Sequence, residues 1–144
     1  MLRSHSVLYS WLRIRLWEIK GLAPHNPFPQ YMDPKNPDWV LTQELIRSIR
    51  DESNARGAQF LLVILPQRNY LNGMYDPVIY DSIIEFAKSE NIAAINLLPL
   101  MKSYRWTEVF YLEDGHFTPF GARVTAQIIY QTIQTMDYHD KNPF

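Results

Sequence analysis

The sequence predicts an α/β fold, a partial three-layer α/β/α sandwich built on a short parallel sheet. Three observations lead there. Two short apolar runs, "FLLVILP" (60–66) and "IAAINLL" (92–98), carry no charge, as expected of strands buried on both faces. Stretches with apolar residues at helical spacing precede, separate and follow them. The resulting order of helix, strand, helix, strand, loop and helix suits a parallel sheet covered by helices.

Each element has its own reason. In residues 7–20, Leu8, Trp11, Leu12, Leu16 and Ile19 recur at helical spacing, which predicts an N-terminal amphipathic helix within 1–20. The stretch 21–37, "GLAPHNPFPQYMDPKNP", holds five prolines and predicts a loop, because each proline removes a backbone donor. Asp38 then caps a helix whose expected core face is Leu41, Leu45, Ile46 and Ile49, and Gly57 stops it. After "FLLVILP", expected as a central strand, Asp76-Pro77 starts a helix buried through Ile79, Ile83, Phe86 and Ala87. "EVFYLE" (108–113) is a short third strand or an extended approach to the loop after it. Thr118-Pro119 opens the last helix, which carries Phe120, Val124, Ile128 and Met136.

The bounds agree with one domain over residues 1–144, with 38–136 as its α/β part. A chain of 144 residues can bury a core without disulfides. It has no cysteine, which excludes a disulfide scaffold, a thiolate metal site and a cysteine nucleophile. A net charge of −1 gives no footprint for nucleic acid. No apolar run is long enough to span a bilayer. Arg13 and Arg15 interrupt the only stretch that could imitate a signal peptide. As written, the chain is expected in the cytoplasm.

Chemistry concentrates in "YLEDGHFTPFGARVTAQIIY", residues 111–130. A histidine at the mouth of a helix can serve as a general base near neutral pH. It needs a carboxylate to hold its tautomer and stabilise the imidazolium, and Glu113 and Asp114 are both at hand. Gly115 lets the backbone turn between them. Thr118 and Pro119 then anchor the loop to the helix. The residues alone leave a second reading open, since Asp-Gly is a common turn and Thr-Pro a common helix start. His5, His25 and His139 lie in unrelated segments, so no metal or other cofactor is expected.

The same stretch resembles the last conserved block of the SGNH hydrolases, the GDSL-like lipases and esterases. "DWVLTQELIRSIRDESNARGAQFLLVILPQ" resembles the helix and strand before that block, and "SHSVLYSWLRIRL" a helical segment upstream. The resemblance covers most of the chain but only the C-terminal part of the family domain, which is flavodoxin-like. It implies that His116 is the general base and Asp114 its orienting acid. The common family spacing is Asp-x-x-His, which falls on Glu113. An alginate acetyltransferase-like branch uses Asp-x-His, which favours Asp114 over Glu113.

The chain lacks the Gly-Asp-Ser block of the nucleophile and the Gly-x-Asn-Asp block of the oxyanion hole. None of its serines follows a strand in a tight turn. The resemblance therefore implies a serine esterase or acyltransferase acting on an ester-bearing small molecule, lipid or carbohydrate, with its nucleophile elsewhere. A complementing N-terminal segment or a second copy is the expected partner, and the chain alone is expected to be inactive. The alternative is a non-catalytic α/β domain that docks a partner through an exposed sheet edge.

Overall fold

A computed structural model describes residues 33–113 and 115–141. The expected N-terminal helix, most of the proline-rich loop and Asp114 lie outside the described residues. The elements run α1 (Pro37–Ala55), β1 (Leu61–Ile64), α2 (Arg68–Leu71), α3 (Val78–Ser89), β2 (Ala93–Asn96), α4 (Leu97–Met101), α5 (Trp106–Val109) and α6 (Pro119–Lys141). The architecture is a partial α/β fold on a short parallel sheet. The described residues group into two compact units, 33–66 with 75–99, and 67–74 with 100–141.

In the first unit, β1 and β2 pair in parallel, with Leu61 opposite Ala93 and Ile64 opposite Asn96. Among the described residues this is a two-stranded sheet, so the "FLLVILP" strand has one neighbour rather than two. Phe86 and Ala87 of α3 and Ile92 form the buried cluster, with Trp39, Ile46, Phe60, Leu62 and Ala94 packed on it. Trp39 meets Phe86 edge-on at 5.8 Å.

Two expectations for α1 need correction. Its N-cap is Asn36, not Asp38: the Asn36 side chain accepts from the backbone N–H groups of Asp38 and Trp39. Pro37 is already shaped for the first helical position, and that moves the cap two residues earlier. The core face also differs. Ile46 packs inward, but Leu41, Leu45 and Ile49 are 58%, 54% and 55% exposed. The helix has two apolar stripes, and the one through Trp39 and Ile46 faces Phe86. At the other end, Gly57 N–H bonds Asn54 O and Ala58 N–H bonds Ser53 O, a Schellman stop.

Charge in this unit gathers on Glu90. Arg47 donates to its carboxylate at 2.8 Å, and Arg50 reaches the other oxygen at 3.5 Å and the Glu90 backbone carbonyl at 3.2 Å. The Arg47 hydrogen bond, opposed by desolvation and reinforced by the charges of Arg47 and Arg50, holds the Glu90 carboxyl below its usual range. Arg47 also lies over the Phe86 ring at 5.2 Å, so the guanidinium bridges the apolar cluster and the carboxylate.

Further along, the Asp76 carboxylate accepts from Val78 N–H at 3.0 Å, but the N-cap position is Pro77 and the helix begins at Val78, one residue later than expected. "IAAINLL" is strand only to Asn96, whose side chain accepts from Leu98 N–H and turns the chain into α4. In the second unit Tyr70, Met101, Val109, Phe110 and Val124 are buried. Thr125, also buried, directs its hydroxyl at Met101 Sδ, 3.9 Å away. "EVFYLE" is not a strand: its start belongs to α5, and only Phe110 forms an isolated antiparallel bridge, with Phe117. Among the described residues no helix is long and apolar enough to cross a membrane.

Candidate active site

The loop between α5 and α6 carries the acidic–histidine stretch. Its base is a small antiparallel pairing. Phe110 bridges Phe117, and their rings stack at 4.8 Å with 21° between planes. One residue further in, Tyr111 N–H donates to His116 O at 2.9 Å. Leu112, Glu113 and Gly115 belong to the tip, where Gly115 has φ +76°, a conformation that favours glycine. Gly115 N–H reaches Tyr111 O at 3.4 Å.

Thr118 clamps the loop to both helices. Its hydroxyl donates to Glu108 O at the end of α5 and accepts from Gly121 N–H at 3.1 Å in α6. Its N–H donates to Val109 O at 2.9 Å. The sequence reading of Thr118 as a cap for the last helix is therefore correct, and the residue also ties that helix to the preceding one. Gly121 permits the approach. A Cβ there would lie 2.2 Å from Val109 O, so no other residue fits without moving backbone.

His116 is exposed on this loop, and Glu113 is exposed at its turn. The described residues thus place His116 and one of its two candidate carboxylates on a single short hairpin, while Asp114 lies outside them. Arg68 is a residue that sequence reasoning passed over. Its Nη1 donates to Leu112 O at 2.7 Å, from the first turn of α2. A cation four residues after the first strand was the available signal, since function gathers at the carboxyl ends of strands in α/β proteins. Among the described residues no three His, Cys, Asp or Glu side chains gather as metal ligands.

The chemistry this arrangement offers is that of an imidazole presented to solvent from a braced loop, with carboxylates beside it in sequence. Comparison with known families bears on the same stretch. The family described as the SGNH hydrolase-like domain of acetyltransferase AlgX matches residues 32–143. The chain belongs to this family. It is 28% identical over 110 residues to a probable alginate O-acetylase AlgJ of Pseudomonas putida. That alignment covers 69% of this chain and 28% of the relative, so the chain spans under a third of the relative's length. No solved structure matches it. The family's description names an acetyltransferase, in line with the resemblance read from the last block.

Proposed function

We propose that this chain supplies the base-bearing part of an O-acetyltransferase, with His116 as general base and Asp114 as the acid that orients it. The observation that carries the reading is the braced loop. Thr118, Gly121 and the Phe110–Phe117 bridge fix the backbone on which His116 sits, and a catalytic base depends on such support. Acetyl transfer to a hydroxyl of a polysaccharide related to alginate is the preferred reaction, following the name of the relative. Hydrolysis is the same acyl transfer with water as acceptor.

The nucleophilic serine and the oxyanion donors come from polypeptide outside these 144 residues. Without them His116 can at most activate water, because the members of such a site act as a unit. The expected result is that the 144-residue chain cleaves p-nitrophenyl acetate no faster than its His116→Ala variant. Turnover lost in both His116→Ala and Asp114→Ala would sink the missing-nucleophile reading. The second arm grafts this chain in place of the matching stretch of the Pseudomonas putida relative. Acetyl transfer by the chimera should fall about 10²–10⁴-fold in His116→Ala, the usual contribution of a general base. Equal transfer with and without His116 would sink the base assignment.

A second reading draws on the two-stranded sheet, whose outer edges are open to pairing among the described residues. An edge of that kind recruits a further strand, and the complementing polypeptide is the natural donor.

A further inference from the structure

We propose that Arg68 is a positioning residue for the His116 loop: its guanidinium holds the Leu112 carbonyl and so fixes the turn that leads through Glu113 and Gly115 to His116. The inference rests on the reading of His116 as the base. Backbone bonding secures the loop unevenly. The lower part has the Tyr111–His116 bond at 2.9 Å and the Thr118 clamp. The tip has a backbone bond at 3.4 Å, from Gly115 N–H to Tyr111 O. Arg68 adds a bond at 2.7 Å to Leu112, one residue before Glu113 and four before His116.

That bond is the stronger kind. A guanidinium is a cationic donor, and a charge-assisted bond is roughly twice as strong as a neutral one. The donor is itself anchored. Arg68 opens α2, and Tyr70 two residues on is only 4% exposed. The bond ends on a backbone carbonyl, so Arg68 acts through the position of the loop rather than on the reacting atoms. Positioning on this scale matters, because a displacement of about 1 Å can cost roughly 10² in rate.

The test uses the full 144-residue chain and two NMR readouts that need no turnover: amide exchange, and the imidazole C–H cross-peaks of His116. Arg68→Met keeps an aliphatic stem and removes the donors. It should speed exchange at Tyr111 and Gly115 about tenfold, the equivalent of one charged hydrogen bond. It should also shift or broaden the His116 cross-peaks. Thr118 and Ala122, which bond Val109 O and Thr118 O, should keep wild-type rates. Arg68→Lys, still a cationic donor, should restore the His116 cross-peaks. Unchanged exchange and unchanged cross-peaks in Arg68→Met would overturn the proposal. So would equal acceleration at all four amides, which would make Arg68 a general stabiliser. The catalytic reading fails separately, by equal transfer in the His116→Ala chimera.

Discussion

Glu90 and Glu113 are both carboxylates near chain turns, and they are treated differently. Glu90 is met by two guanidiniums from α1, and its side chain is only a quarter exposed. Glu113 lies exposed on a hairpin tip whose order comes from backbone bonds, a threonine clamp and an arginine directed at a carbonyl. Around Glu90 the charges are spent on one another and on the Phe86 ring. On the loop, Arg68 and Thr118 direct their polar bonds at backbone groups, and Glu113 and His116 lie at the surface. The difference separates an ion cluster around Glu90 from a loop whose order rests on bonds to backbone, and it can be tested from both sides.

The largest expected effect is in the Glu90 unit. Phe86→Ala removes the ring shared by Trp39, Arg47 and the buried cluster. It should cost about 3–5 kcal/mol, as buried aromatic truncations do, in urea or thermal unfolding. A loss below about 1 kcal/mol, the range of surface substitutions, would mean that apolar burial is not what holds this unit.

On the loop side, Gly121→Ala should destabilise by about 1–3 kcal/mol, the usual cost of forcing an extra methyl into packed structure. An alanine in an ordinary helical position would instead stabilise slightly. The sign of the change therefore tests the close approach to Val109 O. Thr118→Ala follows, at about 1 kcal/mol for a lost helix cap. It should also speed amide exchange at Gly121, whose N–H it leaves without its acceptor.

The smallest effect is a pH dependence. The folded state lowers the carboxyl pKa of Glu90 through its bond to Arg47. Its stabilisation is therefore present above the ordinary glutamate range and is lost as pH falls through the depressed folded value. Glu90→Gln should flatten the acid side of the stability–pH curve and leave the neutral side parallel to wild type. An unchanged acid limb would show that the cluster is screened by solvent.

Local chemistry was readable without coordinates. Unbroken apolar runs marked both strands, Gly57 marked the stop of α1, Asp76 the start of α3 and Thr118 the start of α6, because each acts through atoms within a few residues of itself. Residue types in "EDGHFTP" nominated the candidate site, and the stretch around them carried the family resemblance. What the tertiary structure decided depends on partners distant in sequence. Leu41, Leu45 and Ile49 have the same apolar character as Trp39 and Ile46, and only the position of Phe86 selects which stripe is covered. "EVFYLE" looks extended by propensity, yet α5 and the Phe110–Phe117 bridge divide it. Nothing near Arg68 in sequence reveals that its donor meets a carbonyl 44 residues away, since that meeting exists only once the backbone has folded.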